Sequence, residues 1–243
     1  MNEFEHFCTG HIIILIIETY FVISMCLAVR KMDDRSCSRF FKFISLLLLF
    51  CEIFQDITLI SEGGDFLWFL PFQLCNLGIF VNIAAAFGKG VVRRYCAEIS
   101  LVLTGPGAFF ALMTPDWNYR PLLTWLPINC FFTHMLIFAL PILMLIKGYC
   151  NLSFKHMWYP YVFLLVFAIP LYFFNMKYMT NYLFLRFPPE GSPLAWFDSM
   201  WGRPWYALGA LAILAPLQIV IYTTAAIVRK ARKKTSVPAE ASA

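Results

Sequence analysis

The chain has 243 residues, 60% of them hydrophobic, 18% aromatic and 14% charged, with a formal net charge of +5. A soluble domain keeps about a quarter of its residues charged, so this composition excludes one. The apolar residues come in blocks of about twenty, the length that crosses the hydrocarbon core as a helix, and they point to an all-α polytopic membrane protein.

Seven transmembrane helices are expected, near residues 10–29, 41–61, 67–88, 96–115, 122–146, 158–175 and 205–228, as one domain over 1–234. The opening "MNEFEHFCTGH" is acidic, with no basic region or cleavage site, so the first span reads as retained rather than as a removed signal peptide. The fourth span is interrupted by Gly105, Pro106 and Gly107, a break tolerable only where neighbours satisfy the freed carbonyls. The aromatic stretch 176–204, "MKYMTNYLFLRFPPEGSPLAWFDSMWGRP", is too apolar for a solvated loop. It is expected to lie at the outer interface, as a lid over a site or as an anchor. Residues 235–243 read as a disordered cytoplasmic tail.

Orientation follows from the Lys and Arg residues. The 1–2 loop carries Arg30, Lys31, Arg35, Arg39 and Lys42, the 3–4 loop Lys89, Arg93 and Arg94, and the tail "RKARKK" five more. Arg120, Lys177, Arg186 and Arg203 stand on the other side. The positive-inside rule then places the N-terminus outside and the C-terminus in the cytoplasm of a cell-membrane protein. The basic residues form short membrane-flanking clusters, so no nucleic-acid partner is expected. Of the eight cysteines, only Cys8 lies in a clearly external segment, and no spacing resembles a metal site or a disulfide framework. No cofactor is expected.

Ionisable groups at membrane depth cost about 2.5–3.5 kcal/mol each near a helix centre, so each needs a reason. At 1.5 Å per residue, Glu18, Glu52, Asp56, Cys75, Asn129 and His134 all fall about 8–18 Å below the outer edge. A shared depth implies a cavity opening outward. Glu52, Gln55 and Asp56 share one face of span 2; Pro71, Cys75, Gly78 and Asn82 share one face of span 3; Cys130 and His134 are one turn apart on span 5. A thiol and an imidazole facing one cavity can form a nucleophilic pair. Gln73, Asn76 or Asn129 would position the imidazole or donate to an oxyanion. Cys130 is a second candidate nucleophile. The same carboxylates and His134 would equally suit a proton or cation relay.

Five segments, "LPFQLCNLG", "TGPGAFFALMTPDW", "CFFTHMLIFALPILM", "NYLFLRFPPE" and "GRPWY", occur in this order. Together they resemble the YwaF-type family of seven-span membrane proteins over about residues 65–210. Its members are mainly bacterial, and its animal branch includes an acyltransferase that remodels ether phospholipids. The resemblance implies a cysteine nucleophile at Cys75, a histidine partner at His134, and a further element at Asn181 and Tyr182. Gln73 stands where many bacterial members have His. The expected activity is a lipid acyltransferase or acyl hydrolase acting on a membrane phospholipid or another acyl lipid. The alternative is a seven-span transporter or ligand sensor built on Glu18, Glu52, Asp56 and His134.

Overall fold

The structure is a computed structural model, and it describes residues 4–235. The described residues form helices and loops, without strands. Helix α1 (Thr9–Lys31) turns through Met32 and Asp33 into α2 (Asp34–Ser61), and the Asp33 carboxylate caps α2 by accepting from the Ser36 N–H at 2.9 Å. A short 3-10 turn (Phe66–Trp68) precedes α3 (Leu74–Phe87). Next come α4 (Gly90–Ile99), a π-helical turn (Ser100–Thr104) and α5 (Gly105–Met113), stacked end to end as one rod. Helices α6 (Trp125–Ile146), α7 (Tyr159–Tyr178), α8 (Pro193–Trp201) and α9 (Gly209–Thr235) complete the described chain. The expected tail, 235–243, lies almost wholly outside the described residues.

Among the described residues, six helical stretches are long and apolar enough to cross a membrane: Thr9–Lys31, Asp34–Ser61, Gly90–Met113, Trp125–Ile146, Phe154–Tyr178 and Trp205–Ile227. The helix in the region expected to form the third span is shorter. It covers 74–87 rather than 67–88 because Pro71 brings no N–H and pushes the residue before it away from helical backbone angles. The connecting segments fall on two ends of the bundle. At one end Arg120 pairs with Glu62 at 2.7 Å, His6 bonds the Pro115 carbonyl, and the 180–187 segment bonds residues 67–73. At the other end the Lys147 ammonium donates to the Met32 carbonyl, and the Arg93 guanidinium stacks over Tyr149.

The fourth rod differs from expectation in where its irregularity sits. Pro106 lacks the N–H a regular helix needs, and the turn just before it widens to π geometry, with the Gly105 N–H donating to the Ser100 carbonyl. The rod runs through the π turn without a break. The Ser100 hydroxyl donates to the Asn82 side-chain oxygen at 2.8 Å, tying the π turn to α3.

The tightest packing joins α2, α3, the α4–α5 rod and α6. Ala85, Ala86, Ala97 and Ala108 are all fully buried there, beside Leu48, Leu140 and Met144. Small residues at such contacts let helix backbones approach closely, which is how helices associate where lipid is as apolar as leucine. Most of α1, α7 and α9 presents exposed apolar residues, the surface a bilayer would solvate. Gly78 on α3 sets the approach to the rod, because a Cβ there would stand 2.9 Å from Thr104 Cβ. Gly78→Val is therefore expected to lower stability by about 1–3 kcal/mol through overpacking. Gly107→Ala should cost less, since its new Cβ meets only the flexible tip of Leu74. Thermal unfolding of the two variants in detergent checks the order.

Candidate functional site

The site is built where α3 begins. Gln73 is extended (φ −70°, ψ 156°) and caps α3 with its backbone only, its carbonyl accepting from the Leu77 N–H at 3.0 Å. The N–H groups of Leu74, Cys75 and Asn76 thus lie in the first turn, where no preceding helical carbonyl is available. Cys75 is not in the middle of a long span but is the second residue of a helix, on the positive end of its dipole.

Facing it from α6, the His134 Nε2 lies 3.1 Å from the Cys75 sulfur, and Nδ1 lies 2.7 Å from the Cys130 carbonyl oxygen. A carbonyl can only accept, so Nδ1 carries the proton and Nε2 is the bare nitrogen turned to the thiol. The Trp117 ring lies over the imidazole, centroids 4.7 Å apart and planes 34° apart. The histidine is thereby fixed on one edge by a backbone oxygen and on one face by an indole.

Both residues line a cavity of about 490 Å³. Its apolar walls come from the rod (Pro106, Gly107, Phe110) and from α9 (Ile213, Leu214, Leu217), and residues 183–194 contribute at one end. Among the described residues, three carboxylates, Glu52, Asp56 and Asp116, face it, and no Lys or Arg does. Asp116 sits in the loop between α5 and α6, and enclosure by protein pushes its carboxyl above the usual carboxylate range.

The other expected residues are placed as follows. The Asn76 amide donates to the Glu52 carboxylate. The Gln73 side-chain oxygen accepts from the Leu183 N–H at 3.0 Å, and its amide donates to the Asn181 carbonyl at 3.4 Å. The Asn129 amide donates to Gln55 Oε1 at 2.9 Å, and the Cys130 thiol points at the same oxygen at 3.3 Å. All three amides therefore already have protein partners. Asn181 shapes its own loop, its side-chain oxygen accepting from the Arg186 and Phe187 N–H groups and its amide donating to the Phe187 carbonyl. Glu18 is buried on α1 and is not among the residues lining the cavity; its Oε2 has no hydrogen-bond partner.

Tyr182 reaches across to the break before α3. Its hydroxyl donates to the Leu67 carbonyl at 2.6 Å and accepts from the Leu70 N–H at 2.9 Å. It thus holds two backbone groups at the proline-interrupted turn. Burial pushes this hydroxyl up to about 12, so it stays a donor at any working pH.

Asp116 and Trp117 were not singled out from sequence, because a turn carries no periodicity; the signal available was the "PDW" closing an otherwise apolar run. A second buried cluster was also missed. On α4, Glu98 accepts from the Tyr222 hydroxyl at 2.7 Å and pairs with His156 Nδ1 at 2.9 Å, tying α4, the loop before α7 and α9 together at the end of the bundle away from Cys75. Among the described residues no group of three or more His, Cys, Asp or Glu is placed to hold a metal ion.

A model of the TMEM164 family matches residues 4–222. The chain belongs to the TMEM164 family. That is a family of transmembrane proteins, in keeping with the composition and the long apolar helices. The match runs from the segment before α1 to Tyr222 on α9, so Cys75, His134 and every residue lining the cavity lie within it. No curated protein and no solved structure gives a significant match.

The Tyr182 contacts generate a prediction. Tyr182→Phe strips two backbone groups of their partner, each worth about 1–3 kcal/mol when left unsatisfied in a buried place. The variant is expected to unfold at lower temperature than wild type and to exchange the amides of residues 67–75 faster. Unchanged exchange in that segment, read by hydrogen–deuterium exchange mass spectrometry, would count against the clamp.

Proposed function

We propose that this protein is a membrane-embedded lipid acyltransferase or acyl hydrolase that works through an acyl-cysteine intermediate. The carrying observation is the Cys75–His134 pair, with Nδ1 committed to a carbonyl and Nε2 3.1 Å from the sulfur, on the wall of a largely apolar cavity. The motif resemblance to YwaF-type proteins, whose animal branch includes an acyltransferase, supports the same reading.

The chemistry balances with these residues alone. The thiol proton passes from Cys75 to His134 Nε2 as sulfur attacks the acyl carbonyl of an ester. The new C–S bond gives a tetrahedral oxyanion, for which the first-turn N–H groups of α3 are the available donors. The ester C–O bond breaks, and the imidazolium returns its proton to the departing alcohol oxygen, leaving a thioester on Cys75. In the second half a lipid hydroxyl or water loses its proton to Nε2 and attacks the thioester. The C–S bond breaks, and the thiolate takes the proton back. General acid–base work of this kind contributes about 10²–10⁴ in rate; a helix N-terminus adds about 0.3–2 kcal/mol towards the thiolate. The imidazole is thus the larger contributor.

A relay transporter would use Glu18, Glu52, Asp56 and His134 together, and Glu18 standing apart from the other three favours the acyl reading. The test is intact mass of purified protein in phospholipid vesicles exposed to a fatty-acyl ester. A hydroxylamine-sensitive acyl adduct is expected in wild type and in Cys130→Ala, none in Cys75→Ala, and one formed about 100-fold more slowly or worse in His134→Ala. An adduct that survives Cys75→Ala would sink the assignment. No adduct at all, with loss of function on Asp56→Asn, would favour the transporter.

A further inference from the structure

A second cavity of about 460 Å³ lies on the other side of the wall that carries Glu52. It runs between α2 and α3, along Leu49, Ile53 and Ile60 of α2, with Phe66 at one end and Ile79 and Phe80 of α3 at the other. Its origin is the break at Pro71. Because α3 starts only at Leu74, the outer part of α2 has no full-length helical neighbour on this side, and a 3-10 turn does not fill the gap.

Three observations say what fills it. The rim residues Ile53, Ile57 and Phe80 are 49%, 62% and 45% exposed, on helices that are apolar enough to be solvated by hydrocarbon. From Asp56 to Leu49 the groove measures about 10 Å along α2, within the roughly 15 Å that one leaflet contributes to the hydrocarbon core. It is also continuous with the candidate site: Glu52, Asp56, Phe69, Leu70 and Asn76 line both spaces. The polar members of that shared wall are Glu52, bonded by Asn76, and Asp56.

We propose that the groove between α2 and α3 holds one acyl tail of a bilayer phospholipid, lying along the depth of a single leaflet, and that the wall it shares with the Cys75 cavity is where the lipid's ester passes to the thiol. The glycerol end lies beside Asp56 and Phe69, and the tail extends past Ile53 towards Leu49 and Phe80. The assignment rests on the acyl-cysteine reading only for the ester's destination; occupancy of the groove stands without it. Tail length is thereby selected outside the catalytic cavity, and a short ester that needs no tail site reaches Cys75 by the cavity alone.

The experiment pairs an occupancy readout with a kinetic one, using full-length protein in phosphatidylcholine vesicles. A phosphatidylcholine with a photoactivatable diazirine in its tail is cross-linked to wild type, and the labelled peptides are identified by mass. Label at residues 49–60 and 76–80 is expected at least fivefold above that on the lipid-facing residues of α1. Label no higher than on α1 overturns the proposal, and this arm needs neither catalysis nor a variant. In the kinetic arm Ile53→Trp and Ile57→Trp fill the groove. Acylation of Cys75 from the vesicle lipid is expected to slow tenfold or more, while acylation by p-nitrophenyl butyrate stays within twofold of wild type. Equal slowing of both esters, or of neither, contradicts the groove's role. Strong groove labelling with no adduct at Cys75 from either ester would instead keep the lipid site and remove the acyl-cysteine chemistry.

Discussion

The arrangement around Cys75 depends on one substitution of hydrogen-bond partners. Pro71 removes a helical donor at the N-terminal end of α3, and the Tyr182 hydroxyl takes up the Leu67 carbonyl and the Leu70 N–H that are left near the break. A non-helical backbone at membrane depth is tolerated only where protein satisfies it, and here a single phenol from a distant segment does so. The consequence is positional. Helix α3 starts at Leu74, Cys75 falls on its positive terminus, and the space a longer helix would occupy becomes the groove beside α2. Gln73 adds a second tie between the same two segments, through Leu183 and Asn181. Residues 180–187 therefore both border the cavity and fix the helix start that carries the thiol.

Two neighbourhoods of polar groups in this bundle have different characters. Around Cys75 the amides are paired with neighbours (Asn76 with Glu52, Asn129 with Gln55), which holds α2, α3 and α6 in register. Polar side chains between membrane helices commonly serve as such ties, worth about 0.6–2 kcal/mol each. Towards the other end, Glu98 collects His156 and Tyr222 around one buried carboxylate. That cluster anchors α9, whose other half supplies Ile213, Leu214 and Leu217 to the cavity wall. Stability of the distal cluster and shape of the cavity are thus connected through one helix.

Much of this was legible in the sequence, and the remainder was hidden for identifiable reasons. Depth counting put Cys75 about 12 Å and His134 about 18 Å below the outer edge, and the structure places their side chains 3.1 Å apart. Long apolar stretches were located to within a few residues where hydropathy alone decides, as for 122–146 against Trp125–Ile146. Hydropathy could not locate the start of α3, because Phe69, Leu70 and Phe72 remain apolar whether or not they are helical; Pro71 is the local signal against a helix there, and Tyr182, more than a hundred residues away, supplies the partner that holds the break. Gln73, Asn76 and Asn129 were expected to position the imidazole or donate to an oxyanion; which groups they bond is a tertiary fact. Asp116 and Trp117 lie in a turn, and Glu98, His156 and Tyr222 are separated by 58 and more residues, so neither group leaves a local pattern.

The proposed chemistry requires that the start of α3 and the bare nitrogen of His134 together make Cys75 the reactive thiol of the eight. The direct measurement is site-resolved alkylation by iodoacetamide of native protein in lipid vesicles, followed over time by peptide mass. Cys75 is predicted to react faster than the half-buried Cys26 and Cys96, and to slow at least tenfold in His134→Ala while those two keep their rates. A Cys75 that reacts no faster than Cys26 and is indifferent to His134 would contradict it.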